Sequence, residues 1–391
     1  MQTPLSLDAS ALPSRPRLAA FSLWDNLTRP AIVEPTDVPW HGEALTPDWL
    51  TAVVGKGVDG ARVLDIAVVG GNDGSSARRM LALEWNEAGQ AADLPARVFT
   101  KSTPTLPMRL SAGKSAPSEG RFLTDLRPLL AIEAPHCLYT MRDSRSGRSF
   151  HLMEDLTATC GAVFCHATSP IDRSQAEQIV DTLATLHGTF LHPSNHLDLT
   201  WLRTHEDFFH AAARNGVEAG HDQAMVRAAD VIPSSVRAQK ARIWPAAVAG
   251  LALHAAHRRT VIHSDVHLGN WYITDQGRLG LTDWARVCRG HWARDLAYAL
   301  MSTLDVPDRR AWERPLIERY CARLSERAGQ AIGFATAWDG YRQQACAALL
   351  MWTPTLCPPP TLPDMQPVAT SMRMIERITA AMDDLDVLTP S

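Results

Sequence analysis

The sequence predicts an α+β chain of two lobes, a small β-rich N-lobe followed by a larger, mostly helical C-lobe. Three observations lead there. Five short runs rich in β-branched and aromatic residues, divided by Gly- and Asp-containing turns, crowd into residues 62–156. Beyond Leu156 the apolar residues recur at helical spacing instead. The length, 391 residues at 46% apolar and 20% charged, suits two or three lobes better than one core.

Residues 1–45 are rich in Pro, Ser and Thr without periodicity and read as an N-terminal arm. The N-lobe is expected over 46–155. Thr46-Pro47 opens a short helix with proline in its first turn, and "RVLDIAVVGG", "RRMLALEWN" and "ARVFTKS" follow as strands. "SEGRFLTDLRPLL" at 118–130 sets Phe122, Leu126, Leu129 and Leu130 at helical spacing, with Ser118 as its N-cap. "HCLYTMRD" and "RSFHLMEDL" flank the turn "SRSG" as two more strands. The C-lobe, 156–391, starts with a helix whose capping box is Ser174-x-x-Glu177 and whose buried face is Ile179, Leu183, Leu186 and Phe190. His187 lies on that apolar stripe and reads as a hydrogen-bonded core histidine.

The net charge of −4 gives no electrostatic case for nucleic acid or an anionic membrane as a partner. The longest mostly apolar run, 245–256, is short of the ~18–20 residues of a spanning helix. Seven scattered cysteines without a C-x-x-C pair suit reduced thiols in the cytoplasm. Arginine supplies nearly all the positive charge; lysine occurs only at 56, 101, 114 and 240. A lysine closing the apolar strand "ARVFTK" therefore stands out.

The densest chemistry is "VIHSDVHLGNWYI", residues 261–273, where two runs that read as hairpin strands bracket His263, Asp265, His267 and Asn270. A turn needs Gly, Asn or Asp, not two histidines and a carboxylate. Asp283 closes the next strand, "LGLTD", and the fold-back of that strand sets it beside Asn270. Phosphoryl transfer needs this inventory: one carboxylate to orient and deprotonate the attacking hydroxyl, and hard oxygen ligands for Mg²⁺.

The pattern H-x-D-x-x-x-x-N, a strand ending D-W thirteen residues on, and then "DLAY" resemble the aminoglycoside phosphotransferase and choline kinase superfamily. The likeness is closest to the ecdysteroid-kinase-like branch and runs over residues 46–390. It implies a protein-kinase-like fold, ATP or GTP with Mg²⁺ as cofactors, and a small-molecule hydroxyl acceptor. It further implies Asp265 as catalytic base, Asn270 and Asp283 as Mg²⁺ ligands, and His263 and Asp295 as supports of the loop. Lys101, paired with Glu119, would hold the nucleotide phosphates. Gly71, Gly74, Ser75 and Ser76 would cover them, and the strand end at Met153, Glu154 and Leu156 would meet the base.

A peptide-directed kinase fits poorly, since the loop is H-S-D and only eleven residues separate Asp283 from Asp295. A catalytically silent nucleotide-binding module has no physical need for Lys101, Glu119, Asp265, Asn270 and Asp283 together. Aminoglycosides and other antibiotics remain open as acceptors. The 198–230 segment mixes acids and arginines, and its Trp201, Phe208 and Phe209 lean towards a fairly apolar alcohol. "MDDLD" at 382–386 reads as a solvated acidic end.

Overall fold

The computed structural model describes residues 14–112, 115–192, 197–359 and 365–389. The chain divides into two compact units: residues up to Leu129 with Ala134–Ala162, and Leu130–Glu133 with Val163 onwards. The first thirteen residues of the expected arm lie outside the described ones.

The first unit is built on a five-stranded antiparallel sheet: β1 (Val63–Asp73), β2 (Ala77–Trp85), β3 (Arg97–Ser102), β4 (Cys137–Arg142) and β5 (Ser149–Glu154), in the spatial order β1-β2-β3-β5-β4. All five strands lie where the β-rich runs put them. Alternation sorts β3 into two faces. Val98, Thr100 and Ser102 are buried, while Arg97, Phe99 and Lys101 point to the other side. Leu81, Leu83, Val98, Phe150 and Leu152 form the core with Trp49 and Leu50 of the helix Pro47–Val54. Thr46 Oγ1 caps that helix by accepting from Trp49 N at 3.2 Å.

The described part of the arm belongs to this unit. Arg15–Thr28 is a helix, and Ile32, Val38 and Leu45 enter the core. The anchor is polar, which is why no apolar period marks the helix. Asp25, fully buried, accepts from Arg109 and from Arg148 Nε at 2.9 Å, and Ser22 Oγ donates to Pro104 O at 3.0 Å.

The segment expected as one helix capped at Ser118 is irregular. The helix Ala116–Arg121 begins after Ser115, a π-turn follows at Phe122–Leu126, and a 3₁₀ turn covers Arg127–Leu129. Ser118 is a buried residue inside the helix. The extra residue of the π-turn rotates the face: Leu123 goes inside with Phe122, Leu126 and Leu130, and Leu129 comes out at 53% exposure.

The second unit is mostly helical. Its first long helix, Arg173–Leu191, is capped two residues earlier than Ser174-x-x-Glu177 implies: Asp172 and Gln175 form the box, and Glu177 is left to pair with Arg173 on the surface. Ile179, Leu183, Leu186 and Phe190 are all fully buried. Five short strands complete it: β6 (Val163–Phe164), β7 (Thr260–Ile262), β8 (Trp271–Ile273), β9 (Leu279–Leu281) and β10 (Cys288–Gly290). The two runs around the His/Asp loop are not partners. β7 pairs with β10, whereas β8 pairs with β6 and β9. The loop thus bridges two small sheets instead of closing one hairpin. The 382–386 acids are engaged as well: Asp384 accepts from Arg309 and Arg310, Asp383 from Ser235, and Met382 and Leu385 are buried.

Asp25→Ala would leave two guanidinium groups without their carboxylate. A loss of about 3–5 kcal/mol in unfolding free energy is expected, measured by urea denaturation at pH 7. A loss below about 1 kcal/mol, the size of an exposed pair, would rule out Asp25 as the anchor of this helix.

Candidate active site

The residues assigned from the sequence fall into both units. In the first, Lys101 on β3 registers opposite His151 on β5, and His151 opposite Thr140 on β4. Lys101 Nζ donates to Glu119 Oε1 at 2.7 Å, with both side chains largely buried. The second oxygen of Glu119 lies 3.8 Å from His151 Nε2, and His151 Nδ1 is 2.7 Å from Thr140 Oγ1. Gly120 permits this approach, since a Cβ there would sit 2.8 Å from Thr140 Oγ1. The pair expected from sequence is therefore formed, with His151 as a neighbour that sequence reasoning did not find.

Gly71, Gly74, Ser75 and Ser76 belong to a long hairpin, not to a wide loop. Strands β1 and β2 run to Asp73 and from Ala77, leaving 74–76 as the turn. Gly71 has φ +139°, and a Cβ there would overlap the Arg78 carbonyl, so glycine is required. Gly71, Gly74 and Ser75 are exposed; Ser76 is buried. Arg79 braces the hairpin through Asp73 at 2.8 Å and Glu43 at 2.6 Å. At the far end of β5, Met153 sits between Phe99 and Cys137 in the sheet, and Glu154 N donates to His136 O at 3.2 Å. The Leu156 carbonyl is taken by Cys160 N and Ala162 N, both at 3.1 Å.

In the second unit, Asp295 organises the loop 263–270. Its carboxylate, fully buried, accepts from His263 N at 2.7 Å and Ser264 N at 2.9 Å. His187 Nε2 completes the set at 3.3 Å, with His187 Nδ1 held by Tyr320 Oη at 2.7 Å. Burial pushes the Asp295 carboxyl up, but the His187 hydrogen bond and the nearby Arg294 guanidinium favour the carboxylate, and the net shift is downward. Ser264, next to this clamp, takes a left-handed φ of +65°.

His263 is no metal ligand here. Its Nδ1 accepts from Asp265 N at 3.2 Å and its Nε2 donates to Thr282 O at 3.0 Å, so both ring nitrogens are used. Burial lowers its pKa, consistent with this neutral form. Asn270 Nδ2 donates to the Asp265 carbonyl at 2.7 Å, which fixes the amide and leaves Oδ1 as its acceptor end. Thr282 N donates to Asn270 O at 2.9 Å, setting Asp283 next along the chain beside Asn270. Asp283 itself has φ +60°. His267 packs the loop, accepting from Gly269 N at 3.1 Å.

Asp265 has one neighbour that sequence reasoning missed: Tyr298 Oη, 3.4 Å from Oδ1. Burial, then the charge of Asp265, hold that phenol well above its ordinary pKa, so it remains a donor. The signal was in "DLAY": Tyr298 lies three residues after Asp295 on the helix Ala293–Thr303, hence on the same face.

The sequence matches the phosphotransferase enzyme family over residues 74–332. The chain belongs to that family. Solved structures give the same fold at low identity. A candidate aminoglycoside phosphotransferase from Ralstonia eutropha superimposes with a TM-score of 0.50 at 13% identity, covering 86% of this chain and 96% of its own. The GDP complex of aminoglycoside 2′-phosphotransferase-IIIa gives 0.51 at 9%, covering 86% and 99%. No curated protein sequence matches significantly. Among the described residues no helix is long and apolar enough to cross a membrane.

The phosphotransferase loop sits beside a group of buried histidines. His205 stacks on His254 at 4.5 Å; His254 Nδ1 accepts from His291 N at 3.0 Å, and His291 Nδ1 from Ala293 N at 3.2 Å. Burial lowers His254 to about 4 and His291 to about 3, and takes His205 well below its ordinary value. The unfolded chain takes up these protons near 6.5, the folded one only at the lower values. Stability is therefore full above about pH 6.5 and falls as pH drops from there, by about 1.4 kcal/mol per unit for each such histidine. Urea denaturation at pH 7.5, 6.0 and 5.0 should give this slope, reduced in His254→Gln; a flat profile would contradict the neutral assignment.

Asp295→Asn would turn an amide N–H towards one of the two loop N–H groups. We expect a loss of about 2–4 kcal/mol in stability together with loss of phosphotransfer. A variant with wild-type stability and turnover would refute the clamp.

Proposed function

We propose that this phosphotransferase moves the terminal phosphoryl group of ATP, or of GTP, to a hydroxyl group of a small molecule. The observation that carries this reading is the loop 263–270. Asp265 stands on a backbone pinned at both ends, by Asp295 before it and Asn270 after it. A fixed carboxylate is what in-line attack by a hydroxyl asks of the protein. Asp265 accepts the hydroxyl proton as the new O–P bond forms and the bond to the β-phosphate oxygen breaks, with the nucleoside diphosphate leaving. Lys101, held by Glu119, binds nucleotide phosphates. The backbones of the β1–β2 turn and of Met153–Leu156 take the phosphates and the base in this reading.

The donor set fits Mg²⁺. Asn270 Oδ1 and the Asp283 carboxylate are hard oxygens. Among the described residues no cluster of three or more His, Cys, Asp or Glu suits a metal. Two protein oxygens with phosphates completing the shell is how Mg²⁺ is commonly held. Bound there, it would neutralise charge on the phosphoryl oxygens. GTP stands beside ATP because one structure of this fold is a GDP complex. The ecdysteroid-kinase-like placement rests on the sequence motifs alone.

The test is acceptor-dependent release of nucleoside diphosphate with Mg²⁺. Asp265→Asn is expected to lower kcat about 10²–10⁴-fold with nucleotide affinity unchanged. Lys101→Met should weaken nucleotide binding about tenfold or more, some 1.4 kcal/mol. Turnover by Asp265→Asn equal to wild type would remove Asp265 from this role. Nucleotide binding without turnover on any acceptor would favour the silent module.

A further inference from the structure

The helix Arg15–Thr28 is amphipathic in the inverse sense. Its inward face is polar. Asp25 is fully buried against Arg109 and Arg148, Ser22 Oγ donates to Pro104 O at 3.0 Å, and Asn26 Nδ2 donates to the same carbonyl at 3.2 Å. Leu18 is the one large apolar side chain that this helix buries completely. The outward face is apolar. Ala20, Leu23, Trp24 and Leu27 recur at helical spacing and so form one stripe. All four are exposed, the three large ones at 62%, 61% and 74%. A helix that had only to cover its own unit would be turned the other way, and a contiguous apolar face in water marks a place where something else docks.

Arginine frames the stripe at both ends. Arg15 and Arg17 stand at the start of the helix, where its dipole favours acids and the first turn holds none, and Arg29 is the C-cap at φ +44°. All three are exposed, and none has a carboxylate partner among the described residues. The Arg17 guanidinium lies 5.8 Å from the Phe21 ring, beside the stripe. The helix's own carboxylate, Asp25, faces inward and is matched by two guanidinium groups. The next acids along the chain are Glu34, which is exposed, and Asp37, which accepts from Val33 N and Glu34 N at 2.9 Å.

That charge pattern selects the occupant. A second copy packed on this stripe would set Arg15 and Arg17 against Arg29 in an antiparallel pair, and like against like in a parallel one. Cations would meet in either case. An anionic lipid surface instead takes the apolar side chains at the edge of its acyl layer and the arginines at its headgroups, and a helix with cations at both ends lies flat on it. Tryptophan is enriched at that boundary. The net charge of −4 opposes approach only at long range, since exposed charges are screened beyond about 8 Å at physiological salt.

We propose that the outward face of Arg15–Thr28 docks this protein on anionic lipid surfaces. Leu23, Trp24 and Leu27 enter the headgroup boundary, and Arg15, Arg17 and Arg29 meet the lipid anions. The inference is independent of the phosphotransfer reading, because no residue of that site takes part in it.

The test is co-sedimentation of the full chain with sucrose-loaded vesicles at physiological salt. One set is phosphatidylcholine alone, and the other is three parts phosphatidylcholine to one part phosphatidylserine. Partition to the phosphatidylserine vesicles should be higher by about tenfold or more, since each arginine at an anionic surface strengthens binding about fivefold. High salt should remove the difference. Arg17→Gln combined with Arg29→Gln should bring the two partitions to within about fivefold of each other. Leu23→Ser combined with Leu27→Ser should abolish sedimentation with either vesicle. Because these side chains are exposed, both double variants should keep the wild-type urea midpoint. Trp24 supplies a readout that needs no disruptive change. Dibrominated lipid should quench the part of the fluorescence that is missing in Trp24→Phe, a variant that binds as wild type does.

Absence of binding, equal partition to both vesicles, or binding that both double variants retain would overturn the proposal. So would a Trp24 that stays unquenched on sedimented protein. Concentration-dependent self-association, lost in Leu23→Ser with Leu27→Ser and unaccompanied by lipid binding, would replace the lipid surface with a second copy of the chain.

Discussion

The conformation of the loop 263–270 depends on one buried carboxylate. Asp295 accepts two successive backbone N–H groups, and between those groups and Asp265 the chain turns through a left-handed serine. A non-glycine residue in that region costs about 1–2 kcal/mol, so the clamp must outweigh it. Hydrogen bonds to an ionised acceptor are worth about 1.5–3 kcal/mol each, and two of them suffice. His187 and Tyr320 then orient the carboxylate from behind, so that the helices Arg173–Leu191 and Val306–Ala328 both contribute to the placement of the loop. The helix Ala293–Thr303, which carries Asp295 and Tyr298, is buried at every position. It can present both groups only because each is satisfied by a polar partner.

The first unit solves a similar problem with a row across a sheet. Lys101, His151 and Thr140 stand side by side on three strands, and the helix holding Glu119 is lowered onto that row at a glycine. The π-turn that follows Glu119 lets the helix leave the sheet with Phe122, Leu123 and Leu126 inside. Here its role is mechanical, since a regular helix would carry Leu129 inwards and Leu123 out.

Much of this was legible in the sequence, for a physical reason in each case. The five strands of the first unit are rich in β-branched and aromatic residues between clear turn residues, and the buried face of Arg173–Leu191 repeats with helical period. Lys101 could be singled out because arginine supplies almost every other cation. The parts that were missed leave no periodic trace. The helix Arg15–Thr28 is held by Asp25 and two arginines that are distant in sequence, so its polar anchor looked like surface. The loop's flanking strands read as a hairpin because strand runs announce themselves but not their partners; β7 finds β10 and β8 finds β6 only through tertiary packing. Capping was misplaced by two residues because Asp172-x-x-Gln175 and Ser174-x-x-Glu177 offer the same chemistry, and the first adds two residues to the helix. His151 and Arg294 carry no local motif at all.

The distribution of cation types follows from the same electrostatics. Arginines occupy the places where a fork of donors meets several oxygens: Arg109 and Arg148 on Asp25, Arg309 and Arg310 on Asp384, Arg319 on Asp181. A planar guanidinium serves such sites and keeps its charge when buried. Lysine appears at the strand position where one compact charge meets a carboxylate oxygen of Glu119. A guanidinium at 101 would tend to close on both oxygens of Glu119, whereas the ammonium meets Oε1 and leaves the other oxygen facing His151. The scarcity of lysine in this chain thus marks a division of labour: arginine bridges several oxygens at once, and the lysine of β3 brings one compact charge to Glu119.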